Sequence, residues 1–166
     1  MEIREIKPSD TESFVEFYNK LASETDYLVI SPEEISEKAE KAMEMIEKDN
    51  EYKKVFIALE DDKIVGFIGI KRCHFAKLRH IAKLMIGVLD DYKKQGIGTK
   101  LLSFAENWAK ERNVKRLEIT VIEENDAGVE FFEEMDFEKE GTRENAVKIK
   151  GEYFDELFMA KELEED

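Results

Sequence analysis

The spacing of hydrophobic positions changes period several times along the chain, and each change marks an element. The opening MEIREI alternates apolar and polar residues, the pattern of a half-buried strand. Beyond Pro8 the spacing becomes helical, with Phe14, Phe17, Tyr18 and Leu21 at three- and four-residue steps. A second helix opens at Ser31-Pro32-Glu33-Glu34, where the serine can cap, the proline suits the first turn and Glu34 stands at the capping-box position. It is predicted to run to about Asn50 on Ile35, Ala39, Ala42, Met43 and Ile46. VFIALE and KIVGFIGI, joined by Asp61-Asp62, read as a hairpin of two buried strands. A strand over about His80 to Leu89 leads into a helix carrying Ile97, Leu101, Leu102, Ala105, Trp108 and Ala109. LEITVI, residues 117–122, is a short β-branched strand. A short helix over Gly128 to Met135 carries Val129, Phe131, Phe132 and Met135. The tail, Phe137 through Ala160, predicts two strands turned around Lys150-Gly151.

That order is strand, two helices, three strands, helix, strand, helix, two strands. It describes one mixed α/β (α+β) domain over residues 1–166, with about seven strands and about four helices and no repeat or linker. Composition narrows the setting. No apolar run is long enough to cross a bilayer, and the N-terminus lacks the pattern of a signal peptide, so a cytoplasmic location is expected with no membrane partner. Cys73 is the single cysteine, which leaves no disulfide framework and no cysteine metal cluster within the chain, and no metal site is expected. The net charge of −14 argues against nucleic acid as a partner, because phosphate repulsion would dominate. Glu and Lys are abundant while Gln occurs once, as Gln95, a bias that resembles heat-adapted proteins.

The candidate chemistry is concentrated in VLDDYKKQGIGTKLL, residues 88–102. A strand that turns through glycines into a helix leaves several backbone N–H groups convergent and unpaired, and the helix N-terminus adds partial positive charge. Gly96 and Gly98 would let the backbone approach a bulky anion, and Lys93, Lys94 and Lys100 add charge inside an acidic chain. A pyrophosphate suits such a site. Neither a Rossmann fingerprint nor a nucleoside-triphosphate loop is present, since Gly98 is followed by Thr99-Lys100. On spacing alone, the same two glycines could serve a tight turn that binds nothing.

The run IGVLDDYKKQGIGTKLL resembles the acetyl-CoA-binding segment of the GNAT superfamily of N-acetyltransferases, whose motif is Arg/Gln-x-x-Gly-x-Gly/Ala. NDAGVEFFEEMDFEKEG, from Asn125, is similar to that family's Asn-x-x-Ala-x-x-Phe-Tyr-x-x-x-Gly-Phe segment, and the element order is the family's order too. The resemblance implies a GNAT fold, with the sheet splayed at the strand before the glycine segment. It implies acetyl-CoA as co-substrate and direct attack by a neutral amine on its thioester. Ile86, Gly87 and Val88 would hold the pantetheine by main-chain groups, with a bulge unsurprising at Gly87. Lys93, Lys94, Gln95, Gly96, Ile97, Gly98 and Thr99 would surround the pyrophosphate, and Asn125 and Phe132 would line the other wall. The departures are Lys93 for Arg/Gln, Gly128 for alanine, Asp136 for glycine, and Phe132 where many members carry the tyrosine that protonates the leaving thiolate. Another donor then serves, or the thiolate leaves unprotonated, which a thiol pKa of about 8.5 permits, or catalysis is weak.

An amine is mostly protonated at neutral pH, so a general base is useful. His80, at the start of the strand that feeds the site, has a suitable pKa range. Glu24 and Asp26 lie in SETDYLVI, the loop that in the resembled fold covers the acceptor pocket. Glu123 is a further candidate, His74 has no supporting context, and Cys73 reads as an incidental thiol. The tail GEYFDELFMAKEL is similar to the closing hairpin of a GNAT subgroup acting on amino acids or related small amines. Tyr153 and Asp155 would then face the acceptor, or Tyr153 would replace the missing acid. The expected activity is acetyl transfer to a primary amine of a small molecule (amino acid, polyamine or similar), with a homodimer compatible. Protein N-terminal or lysine acetylation, an acyl-CoA-binding sensor and a nucleotide-binding regulator remain as alternatives.

Overall fold

The computed structural model describes residues 1–48 and 51–165. The side chain of Ile46 and the expected helix end at Asn50 lie outside the described residues. The strands are β1 (Glu2–Glu5), β2 (Lys53–Glu60), β3 (Lys63–Arg72), β4 (Ile81–Val88), β5 (Arg116–Ile122), β6 (Glu138–Ile149) and β7 (Glu152–Glu162). The helices are α1 (Thr11–Glu24), α2 (Pro32–Lys48), α3 (Ile97–Glu111) and α4 (Asp126–Glu134). Among the described residues the strands form one seven-stranded sheet in the order β1-β2-β3-β4-β5-β7-β6. Every neighbouring pair is antiparallel except β4 with β5, which α3 joins as a crossover.

Local chemistry accounts for the joints. Asp61 and Asp62 have φ of 49° and 62°, and Lys150 and Gly151 have φ of 49° and 83°. Two consecutive left-handed residues suit the twist of a two-residue hairpin, and both turns lie where the sequence places them. At the start of α2 the capping box is complete. The Glu34 amide donates to Ser31 Oγ at 3.2 Å, and the Ser31 amide donates to Glu34 Oε2 at 2.8 Å.

The two faces of the sheet follow from alternation along β3. Phe67 packs edge-on against Phe14, Phe17 and Tyr18 of α1. A Cβ on its neighbour Gly66 would meet Leu101 of α3 at 3.3 Å. So α1 and α3 cover opposite faces. α2 joins α1, because Ala42 and Met45 lie over Val55 and Gly69. Phe131 of α4 packs on Gly98 of α3. Leu101, Ala105 and Ala109 are fully buried along α3, so its apolar stripe, as the spacing predicts, seats it on the sheet.

The strand β4 carries no bulge at Gly87. Its register with β3 runs unshifted from Arg72↔Ala82 to Gly66↔Val88. The glycine answers a different demand, because a Cβ there would lie 2.6 Å from Leu21 Cδ2 and 3.1 Å from Phe67. Its absence lets the end of α1 press onto the sheet. Near the N-terminus, Arg4 grips Asp10 through two bonds of 2.8 and 2.9 Å, while the Lys7 amide donates to the same carboxylate at 2.7 Å.

Two stability predictions follow from these contacts. The Arg4 bond holds the Asp10 carboxyl below its usual range. A depressed folded-state pKa stabilises the protein above the unfolded value, near 4, and is lost as pH falls through the lower folded value. Asp10→Asn is therefore expected to lower the denaturation midpoint at pH 7, with the gap to wild type closing as pH drops below about 4. Gly87→Ala is expected to cost about 1–3 kcal/mol in urea unfolding. Combined with Leu21→Ala it should cost less than the sum of the two single changes, because the second change removes the clashing methyl.

Candidate active site

The parallel pair β4–β5 is joined for only three rungs: Ile81↔Arg116, Ala82↔Leu117 and Lys83↔Glu118. From Leu84 to Val88, β4 pairs on its other side alone, with β3. From Ile119 to Ile122, β5 pairs only with β7. The two strands thus diverge into a cleft whose inner edges carry backbone donors and acceptors without strand partners. An extended polar ligand can complete such an edge as an added strand would.

β4 leads directly to the glycine segment at the mouth of this cleft. The single 3₁₀ turn Asp90–Tyr92 closes with the Tyr92 amide on Leu89 O and the Lys93 amide on Asp90 O. Then the pairing stops. Among the described residues, the amides from Lys94 to Thr99 donate to no backbone or side-chain acceptor, and α3 has no side-chain cap. Lys94 and Gly96 both adopt the left-handed conformation, with φ of 61° and 79°. Gly96 supplies that conformation without strain and with open space around it, which leaves room for a bulky anion. The two functions expected of the glycines therefore divide. Gly98 does not face the open side, because a Cβ there would meet the Phe131 ring at 3.1 Å, so its role is to seat α4 against the first turn of α3.

The surrounding side chains refine the electrostatics. Lys93 does not stand free, since its Nζ pairs with Asp90 Oδ1 at 2.6 Å. Gln95 turns back to donate to Asp91 O at 3.2 Å. Lys94 and Lys100 are exposed beside the free amides. Asn125 caps α4, its Oδ1 accepting from the Gly128 amide at 3.1 Å. Phe132 lies in the core, 3% exposed, edge-on to Phe131 and Phe137. Phe132 is therefore not presented as an open wall, while Asn125 stays half-exposed with its Oδ1 engaged in the cap.

The candidate bases are scattered. His80 precedes the first residue of β4, seven residues from Gly87 and so about 23 Å down the strand by its rise. Its carbonyl accepts from the Lys115 and Arg116 amides at the closed end of the pair, and the structure does not bring it to the cleft. Glu24, at the last turn of α1, does reach the glycine segment: its Oε1 accepts from the Asp90 amide at 2.9 Å. Asp26 pairs with Lys150 at the tip of the β6–β7 hairpin, 3.2 Å away. Tyr153 is 62% exposed at that hairpin, with Lys148 Nζ 5.5 Å above its ring. It shares with Asp155, Leu157 and Met159 the sheet face that α3 covers, away from α1. Asp155 accepts from the Asn145 amide at 2.8 Å, and Glu123 donates its amide to Asp155 O at 2.9 Å. His74 stacks on Tyr52 at 4.0 Å, and Cys73 is a free, half-buried thiol.

One carboxylate escaped the sequence reading. Glu156 is 4% exposed and bonded to Arg143, in register with Ile122 at the open end of β5. Its signal was present: Phe154, Glu156 and Phe158 fall on one strand face, so an acid sits between two aromatics at period two. The loop between α1 and α2 is pinned to α1. The Tyr18 hydroxyl, its pKa pushed up to about 12 by burial and then by Glu34, donates to Ile30 O at 2.8 Å.

This architecture is that of a GNAT acetyltransferase, and the chain belongs to the GNAT acetyltransferase family, whose model matches residues 14–137. It is 29% identical over 112 residues to the L-amino acid N-acetyltransferase AaaT of Escherichia coli (strain K12), which covers 65% of this chain and 67% of that one. A GNAT-family acetyltransferase from Streptococcus pneumoniae superposes with a TM-score of 0.82 at 28% identity, over 98% of this chain and 99% of that one. The fold is also that of yncA from Salmonella typhimurium, solved with its cofactor acetyl-CoA, at a TM-score of 0.85, 18% identity, and coverage of 100% and 95%. Among the described residues no helix is long and apolar enough to cross a membrane.

Proposed function

We propose that this chain moves an acetyl group from acetyl-CoA to the primary amine of a small molecule of the amino-acid class. The observation that carries the reading is the continuity of two sets of backbone groups without protein partners. One is the inner edge of β4 from Leu84 to Val88, and the other is the run of amides from Lys94 to Thr99. Together they match a ligand with an extended amide-bearing arm and a diphosphate. The acceptor class is supported by the likeness to AaaT of Escherichia coli.

When bound, acetyl-CoA supplies an activated acyl carbon. The protein's part is positional and electrostatic. Lys94 to Thr99, with the α3 N-terminus, hold the diphosphate by main-chain donors, and Lys94 and Lys100 add charge. Ile86, Gly87 and Val88 would align the pantetheine by main-chain groups, and an amide on that edge would supply a hydrogen-bond donor to the thioester carbonyl oxygen. Glu24 acts as a positioning residue, tying the end of α1 to the turn from which the glycine segment departs. Glu156, held by Arg143 on the sheet face that α1 covers, is the carboxylate assigned to the acceptor amine. With Phe132 in the tyrosine's place the thiolate would leave unprotonated, as a thiol pKa near 8.5 allows, and the proton lost by the attacking amine would pass through Glu156 to solvent. His80 and Tyr153 have no part in this scheme.

Thiol release from acetyl-CoA, measured against a panel of L-amino acids and polyamines, tests the proposal. Turnover is expected with at least one amino acid. Glu156→Gln should then lower kcat/KM at least tenfold with little change in coenzyme A affinity, and His80→Gln should leave both unchanged. Tight coenzyme A binding with no release on any amine would replace the enzyme reading with that of a binding module.

A further inference from the structure

The register of the sheet places three lysines side by side. Lys53 of β2 faces Lys71 of β3, and Lys71 faces Lys83 of β4. Directly facing residues share one sheet face, with Cβ atoms about 5 Å apart, so three ammonium groups stand in a row across three strands. The next rung on that face, Val55, Gly69 and Met85, is apolar. Ala42 and Met45 of α2 overhang it, and together these residues line a groove of about 330 Å³. Met45 and Met85 flank it at 42% and 37% exposure.

Like charges that face each other across strands destabilise a sheet. Here nothing in the described residues offsets them. Lys53, Lys71 and Lys83 make no ion pair there, although Asp and Glu outnumber Lys and Arg by 40 to 26 over the whole chain. The carboxylate next in the row, Glu118 opposite Lys83, is bonded to Arg116 at 2.9 Å, and Glu138 lies two strands further on, beyond Ala160. With acids so abundant, a single substitution would relieve the repulsion. The charge pattern and the apolar floor together define what would relieve it instead.

We propose that this groove binds a small organic anion carrying at least two negative charges and an apolar body. Its anionic groups lie along Lys53, Lys71 and Lys83. Its apolar part covers Val55, Gly69 and Met85, with the polarisable thioethers of Met45 and Met85 closing on it. Gly69 deepens the floor, since a Cβ there would have only Val55 Cγ2 near it, at 3.9 Å. The site is separate from the glycine segment. It holds whether or not the chain transfers acetyl groups.

The probe is a fluorescent naphthalene disulfonate, titrated into the full chain with and without saturating coenzyme A. Saturable one-to-one binding that persists with coenzyme A is expected. Lys71→Glu should weaken it at least tenfold, and Lys71→Gln or Lys83→Gln severalfold. Lys63→Glu, at the exposed tip of the β2–β3 hairpin, should leave it unchanged, and Lys71→Glu should leave coenzyme A binding unchanged. Equal affinity in Lys71→Glu and Lys63→Glu would overturn the proposal. So would displacement of the probe by coenzyme A, which would place the probe in the cofactor segment. Sedimentation equilibrium closes the remaining route: a dimer abolished by Lys71→Glu would show that a second copy of the chain covers this face.

Discussion

Hydrogen bonding between β4 and β5 ends after Lys83↔Glu118, and most of what the molecule can do depends on that ending. Buried backbone groups need partners, so a sheet interrupted in its middle must meet them from solvent or a ligand. The fold makes the interruption stable by holding each strand firmly on its other side. β3 pairs with β4 through Val88, and β7 pairs with β5 through Ile122. α1 also presses onto the β4 edge through the space left at Gly87. The cleft is therefore a rigid gap between two well-supported half-sheets.

The same strand that borders the gap leads into the run of unpaired amides. β4 ends at Val88, a single turn follows, and the chain enters α3 with six successive amides undirected toward any protein acceptor. The Glu24 bond to the Asp90 amide fixes where that turn begins. In a chain of net charge −14 the local positive potential comes from backbone dipoles together with Lys94 and Lys100, since Lys93 is neutralised by Asp90. Backbone donors suit this task because they do not titrate and lose no side-chain entropy on binding.

How much of this could be read from the sequence depended on whether the relevant chemistry is local. The Ser31–Glu34 capping box, the Asp61-Asp62 and Lys150-Gly151 turns and the apolar stripe of α3 are decided by residues within a few positions of one another, and all were legible. The glycine segment was legible as a strand-to-helix turn with unpaired amides. The division of labour between Gly96 and Gly98 was not, because it depends on Phe131, more than thirty positions away. Glu24 looked like a loop acid until its distant partner, Asp90, was in place. His80 looked well placed because it opens the right strand, but strand rise carries it to the wrong end. The three-lysine row is invisible in sequence for a related reason: facing positions are fixed by register, which no short segment contains.

The central claim is that two sets of unpaired backbone groups, on the β4 edge and in the glycine segment, together receive one extended, diphosphate-bearing ligand. Amide hydrogen exchange followed by NMR, with and without coenzyme A, examines those groups one by one. Exchange should slow on saturation at Lys94 to Thr99 and also at inward-facing amides between Leu84 and Val88. A saturated protein in which the β4 amides exchange as fast as before would contradict it.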